Sequence, residues 1–183
     1  MPFDHFDVIA PIFARANYSS LDRMRELADL PVKGRLLDVG GGTGRVTSGL
    51  RADVDQIVVA DVSMGMLKQS ASSPGLQAVG GYSEALPFPD ASFERIIMVD
   101  ALHHVLNHAE SAREMLRVLK PGGRIVIQEP DIQTFGVKLI AIAEKLLFMR
   151  SHFLNADSIA ALFPNAKTNI VLEDSSAWVI VEK

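Results

Sequence analysis

The stretch Leu36-Leu37-Asp38-Val39-Gly40-Gly41-Gly42-Thr43-Gly44-Arg45-Val46-Thr47 constrains the fold more than any other part of the chain. An apolar run of strand character passes into a glycine-rich turn that opens a helix, the strand-turn-helix unit of a layered α/β domain. Glycine lacks a Cβ and tolerates positive φ, so backbone N–H groups in such a turn approach a ligand closely, and nucleotide-like cofactors are the usual occupants. The spacing is Gly40-x-Gly42-x-Gly44 with Arg at position 45, which misses the G-x-G-x-x-G dinucleotide fingerprint. The Gly-Lys-Ser/Thr ending of a phosphate-binding P-loop is missing too. The alternative is a tight turn that binds nothing. Asp61 bears on the choice, because Val58-Val59-Ala60-Asp61 puts a carboxylate at the tip of the next strand, beside the glycine loop in a doubly wound sheet. There it accepts both hydroxyls of a ribose. Its competing role, the N-cap of the helix that begins near Ser63, is one Ser63 can fill itself.

The rest of the chain repeats the alternation. Strand-like runs fall at 35–39, 56–60, 76–79, 95–99 and 124–128, apolar enough to be covered on both faces of a parallel sheet. The clearest helix spans about Ala109 to Leu119, with Ala112, Met115, Leu116 and Leu119 on one face and Lys120-Pro121-Gly122-Gly123 as its stop. Two helices precede the first strand, at about Asp4 to Asn17 and Leu21 to Ala28, the second capped by Ser19 or Ser20. A long helix is expected near Thr134 to Arg150 and a short one near Asp157 to Phe163. The runs Lys167 to Glu173 and Ser176 to Glu182 meet at Asp174-Ser175 as an antiparallel hairpin. The expected fold is therefore α/β: a Rossmann-like, doubly wound, seven-stranded mixed sheet with a C-terminal antiparallel hairpin. At 183 residues it forms one domain. Residues 1–34 make an N-terminal helical cover, 35–130 a cofactor-binding core, 131–166 the substrate-side helices and 167–183 the hairpin.

Composition excludes several classes. The chain has no cysteine, which removes disulfides, thiolate nucleophiles, Cys-ligated zinc and iron–sulfur clusters. Lys plus Arg number 18 against 22 Asp plus Glu, with the signs interspersed, so nothing advertises a nucleic-acid partner. Met1-Pro2-Phe3-Asp4 lacks the basic start of a secretory signal, so cytoplasm is the default location. The most apolar segment, Phe135 to Met149, carries Lys138, Glu144 and Lys145 and falls short of a membrane span.

Five motifs in order carry a family resemblance: Asp38-x-Gly40-Gly41-Gly42-Thr43-Gly44; Asp61 with Ser63 and Met66; Glu84-Ala85-Leu86-Pro87-Phe88-Pro89-Asp90-Ala91-Ser92-Phe93; Leu102-His103-His104-Val105; and Leu119-Lys120-Pro121-Gly122-Gly123. Together they resemble the class I S-adenosylmethionine-dependent methyltransferases, most closely the ubiquinone/menaquinone biosynthesis C-methyltransferase group (methyltransferase type 11), from about Phe6 to Ile127. The resemblance implies S-adenosylmethionine as cofactor and S-adenosylhomocysteine as product. It implies that Asp38 and Gly40, Gly41, Gly42, Thr43 and Gly44 hold the methionine part, that Asp61 with Val62 binds the ribose side, and that Met66 packs on the adenine. Where relatives carry an acidic or amide residue followed by Ala, this chain has Tyr82 and Ser83, a ring to stack and a hydroxyl to donate. Val99 and Asp100 end the fourth strand near the sulfonium.

Methyl transfer from a sulfonium is an in-line displacement on an activated carbon, so the protein mainly aligns the reactants and excludes water. A base helps if the acceptor is a phenol, an acidic carbon or an amine. His103 and His104 stand where such a base is needed, and Asp100 is the other candidate catalytic residue. The bland reading has one histidine closing a loop and the other packed. His104 and His108 lie four apart but lack the Glu of H-E-x-x-H, so no metal is expected. The absent thiols argue against the arsenite-methylating branch. The apolar helix at 135–149 must be covered: it roofs a pocket for an apolar small-molecule acceptor such as a quinone precursor or lipid, packs in the core, or forms a homodimer contact. Two rival functions share the glycine turn and strand-tip acid: an NAD-dependent oxidoreductase, and a catalytically silent domain that binds S-adenosylmethionine.

Overall fold

A computed structural model describes residues 18–131 and 152–183. The expected helices at Asp4 to Asn17 and Thr134 to Arg150, and with them the apolar 135–149 segment and its dimer contact, lie outside the described residues.

In chain order the elements are α1 (Leu21–Leu27), β1 (Arg35–Val39), β2 (Gln56–Asp61), α2 (Met64–Ser72), β3 (Leu76–Gly80), β4 (Phe93–Val99), α3 (His108–Val118), β5 (Leu119–Pro130), α4 (Ala156–Ala160), β6 (Lys167–Glu173) and β7 (Ser176–Glu182). Single 3₁₀ turns stand at Thr47–Leu50 and Leu102–His104. The seven strands form one sheet in the order β3-β2-β1-β4-β5-β7-β6. Strands β1 to β5 run parallel, and β7 inserts antiparallel between β5 and β6. The chain order reverses between β1 and β4, so the loops leaving their carboxyl ends part there and open a crevice.

Alternation within each strand sends consecutive residues to opposite faces. Leu37, Val58, Met98 and Ile127 meet α3 through Ala112, Met115 and Val118, and α4 through Ile159. Their neighbours Leu36, Val59, Ile97 and Val126 meet α1 through Met24 and Ala28 and α2 through Leu67. Both faces are covered, which is why these strands read as unbroken apolar runs. Two arginines dock α1: Arg95, buried in β4, donates from Nε to the Ala28 carbonyl at 2.6 Å, and Arg124 donates to Leu27 O at 3.1 Å. These are the carbonyls that a helix end leaves without partners.

Four local details depart from expectation. The chain after the glycine loop forms only a 3₁₀ turn: Ser48 N and the Ser48 hydroxyl both donate to the Gly44 carbonyl, at 2.9 and 2.7 Å, and Gly49 weakens any longer helix. Ser20 occupies the N-cap position of α1 but makes no side-chain cap bond. The Lys120-Pro121-Gly122-Gly123 stop lies inside β5 rather than before it, since Leu119 pairs with Phe93 and Gly122 and Gly123 bond to Lys183 at the chain end. The short helix near 157–163 is Ala156–Ala160, capped by Asn155, whose side chain accepts from Ser158 N at 2.8 Å. The β6–β7 turn is as expected, with Asp174 and Ser175 both at positive φ, 49° and 62°, the twist that suits a two-residue hairpin.

Candidate functional site

The crevice beside the carboxyl ends of β1, β2 and β4 is a cavity of about 440 Å³. Its floor is the β1 loop. Asp38 is fully buried, and Thr47 Oγ1 donates to its Oδ2 at 3.2 Å. A Cβ on Gly41 would lie 2.3 Å from the Asp38 carboxyl carbon, so only glycine lets the loop fold this tightly over the acid. Burial is the main cause that pushes the Asp38 carboxyl up to about 7, with the Asp61 charge adding to it and the Thr47 hydroxyl opposing it.

Asp61 ties the β2 tip to that loop. Its Oδ2 accepts from Gly42 N at 2.9 Å and its Oδ1 from Ser63 N at 2.8 Å. Ser63 caps α2, its side chain accepting from Met66 N at 3.3 Å, so the carboxylate is not needed as the cap. Met66 is buried beneath Gly42, and Val62 stands 58% exposed at the rim.

From β4 the wall continues through Val99, Asp100 and the Leu102–His104 turn. Asp100 adopts φ 52°, donates its N–H to Gln128 O at 2.9 Å and leaves 46% of its side chain exposed. Desolvation first and the Glu129 charge second push its carboxyl above the usual aspartate range, while Arg45 at 3.8 Å opposes them. The Arg45 guanidinium also lies 5.5 Å from the Tyr18 ring, and the Tyr18 hydroxyl, pushed up by burial, donates to Gln128 Oε1.

Glu129 organises the histidine turn from β5. It is buried, and its Oε1 accepts from Ala101 N at 3.0 Å and Leu102 N at 2.7 Å. Its Oε2 lies 2.5 Å from His103 Nδ1. The His103 ring stacks on Phe153, with centroids 4.4 Å apart and planes 10° apart, and tilts against His104 at 4.0 Å. His108 turns away, its Nε2 donating to Leu102 O at 3.1 Å. No group of three or more His, Asp or Glu suited to a metal occurs among the described residues.

Of the residues expected to form the site, His103, His104, Asp100, Asp38, Gly40, Gly41, Gly42, Thr43, Asp61, Val62, Met66, Ser83 and Val99 all line this one cavity. Gly44 and Tyr82 do not. Gly44 instead lets the loop close on its neighbours: at φ 74°, a Cβ there would meet the Leu76 side chain at 2.5 Å. Tyr82 leaves 65% of its surface in solvent. The Glu84-to-Phe93 motif serves mainly to hold a loop. Glu84 accepts from the N–H groups of Leu106 and Asn107, both at 3.2 Å, and Arg117 grips the carbonyls of Leu86 and Phe88 at 2.9 and 2.8 Å. Sequence reasoning passed over Glu129, Arg45 and Phe153. Glu129 had a signal, a carboxylate at a parallel-strand tip like Asp61, whereas Phe153 had none because it arrives from a distant segment.

Comparison with known proteins fits this geometry. The profile of a family described as a methyltransferase domain matches residues 37–127. The ubiquinone/menaquinone biosynthesis C-methyltransferase UbiE of Pseudomonas savastanoi pv. phaseolicola is 37% identical over 114 residues, covering 57% of this chain and 44% of the relative. The same enzyme of Pseudomonas aeruginosa matches over the same shares. The chain thus matches less than half the length of these curated relatives. Among solved structures, an S-adenosylmethionine-dependent methyltransferase of Thermotoga maritima superposes with a TM-score of 0.78 at 20% identity, over 97% of this chain and 98% of that one. The YcgJ protein of Bacillus subtilis gives a TM-score of 0.73 at 24% identity, over 84% and 70%. At such identities the structures speak to the fold alone, and it is the same fold.

Proposed function

We propose, from the match of residues 37–127 to the methyltransferase domain family, that the chain binds S-adenosylmethionine in the strand-tip cavity and methylates a small apolar acceptor. The observation that carries the reading is the bridge from Asp61 to Gly42 N and Ser63 N, which presents one carboxylate beside the glycine loop at the switch point of the sheet. The donor set suits the cofactor. Asp38, Asp61 and Asp100 offer carboxylates to an ammonium group, a ribose diol and a sulfonium, while Met66 and Val62 offer apolar surface to a purine. When bound, the cofactor supplies a methyl group on a sulfonium, already activated for displacement. What remains for the protein is alignment, exclusion of water and the handling of one proton.

The acceptor side of the cavity comprises His103, His104, Phe153, Pro130, Leu86 and Met98. It is apolar and aromatic, with imidazoles as its titratable groups, and this supports a planar acceptor with an acidic hydroxyl or carbon. In the reaction His103 takes the acceptor's proton, and His104 and Asp100 flank it. The curated relatives are named for ubiquinone and menaquinone biosynthesis. A reduced prenylated naphthoquinone lacking its ring methyl is accordingly the first acceptor to try.

The test has two stages. Thermal midpoints are compared with S-adenosylmethionine, S-adenosylhomocysteine and NAD in separate wells. A ligand at about 100 times its Kd stabilises by roughly 2.7 kcal/mol, a shift of several degrees. A rise with the first two only is expected, and a rise with NAD alone refutes the reading. Mass spectrometry of the naphthoquinone after incubation then looks for one added methyl group, and binding without transfer to any acceptor would mark a silent domain.

A further inference from the structure

We infer that Glu129 is a positioning residue, whose buried carboxylate fixes the His103 ring in the Nδ1–H tautomer and so makes Nε2 the nitrogen that receives the acceptor's proton. This rests on the reading of His103 as the base given above.

The argument starts from the number of acceptors available. A carboxylate has two oxygens and no donor. In Glu129 one oxygen, Oε1, already accepts two backbone N–H groups, those of Ala101 and Leu102, and the other faces His103 Nδ1 at 2.5 Å. Because that oxygen only accepts, the Nδ1 nitrogen must donate. In a neutral imidazole with Nδ1 protonated, Nε2 carries the lone pair. Glu129 therefore does two things with one group: it anchors the turn that carries both histidines, and it chooses the tautomer of the first.

The ring's remaining freedom is also removed. Phe153 stacks almost parallel on one face, and the His103 carbonyl accepts from His152 N at 2.7 Å, which ties the turn to the segment that brings Phe153 in. A buried charge is costly unless paired, so when the proton leaves the acceptor's O–H or C–H bond and binds Nε2, the new imidazolium needs a counter-charge already in place. Glu129, through Nδ1–H, supplies it. Asp100, from the end of β4, is a second carboxylate whose charge interacts with His103.

The Glu129→Gln variant separates tautomer control from simple anchoring. The amide oxygen is retained by the two backbone N–H groups, which leaves the amide NH₂ facing Nδ1. Nδ1 must then accept, and the proton moves to Nε2. Long-range ¹H–¹⁵N spectra of the histidine rings are recorded on wild type and Glu129→Gln above the imidazole titration range, with the His103→Asn variant assigning the resonance. The expected result is a protonated Nδ1 in wild type and a protonated Nε2 in Glu129→Gln, with S-adenosylhomocysteine affinity unchanged within about twofold. Turnover with the reduced naphthoquinone should fall by roughly 100-fold, the scale of a lost general base.

A wild-type His103 with its proton on Nε2 overturns the proposal without recourse to any variant, and so does an unaltered tautomer in a folded Glu129→Gln protein. The tautomer decides the role of Glu129 whether or not that quinol is the acceptor. If the tautomer inverts as expected but His103→Ala and Glu129→Gln both turn over normally, Glu129 orients the ring and the reading of His103 as the base is what fails.

Discussion

Asp38→Asn isolates the electrostatic cost of the cavity floor. The wild-type carboxyl is buried and pushed from the ordinary 3.8 up to about 7, chiefly by burial. Between those two values the unfolded chain has lost the proton while the folded chain keeps it. The folded state then binds more protons, so stability falls as pH rises through that window and stays low above it. At about 1.36 kcal/mol per pH unit, the interval sets a ceiling of about 4 kcal/mol on the loss. Asparagine has nearly the same shape and leaves an oxygen for the Thr47 hydroxyl, but it cannot ionise. Urea unfolding at about pH 4 and about pH 8.5 is the assay. Variant and wild type should differ little at the lower pH, and the variant should be the more stable by up to about 4 kcal/mol at the higher one. A stability difference that is the same at both would refute the reasoning, since Asp38 would then titrate alike in the folded and unfolded chain. The variant should also bind S-adenosylmethionine more weakly above neutral pH, because the lost negative charge faces a cationic ligand.

Other changes probe the remaining parts. Asp61→Ala should weaken S-adenosylhomocysteine binding by about 1.5–3 kcal/mol by calorimetry, because it removes charge-assisted bonds to the ribose and releases Gly42 N and Ser63 N; unchanged affinity takes Asp61 out of the site. Arg117→Ala should lower stability by about 1–3 kcal/mol, since it leaves the buried Glu114 carboxylate and the carbonyls of Leu86 and Phe88 without their guanidinium. Faster hydrogen exchange at the Leu86 amide is the local readout, and an unmoved urea midpoint contradicts it. Ser175→Gly, at a φ of 62°, should raise stability by about 0.5–1 kcal/mol, because glycine adopts that hairpin conformation without strain. A lower thermal midpoint would place the importance of Ser175 in its side chain.

Local chemistry was enough to determine much of this protein. The strands β1, β2 and β4 are legible because burial on both faces demands unbroken apolar runs, and the C-terminal hairpin because the short polar turn Asp174-Ser175 joins two β-branched segments, of which β7 is buried and β6 is the more exposed edge. Gly40 to Gly42, Asp38 and Asp61 are legible because they follow one another across a single crossover between the parallel strands β1 and β2, so sequence spacing maps directly onto space. Tertiary structure alone decided the rest. The 3₁₀ turn at Thr47–Leu50 stands in place of a helix where Arg25 of α1 takes the Gly49 carbonyl at 2.7 Å, a contact that periodicity does not register. Tyr82 stands in solvent rather than on the cavity wall because the loop that carries it is set by Glu84, Glu114 and Arg117, two of them about thirty residues away. Glu129 lies 26 positions from His103, and Phe153 is 50 positions from it, so neither partnership exists until β4 and β5 pair and the chain returns over their tips. A strand's periodicity records which face is buried, but which side chain meets which across the sheet is decided only when the strands take their order.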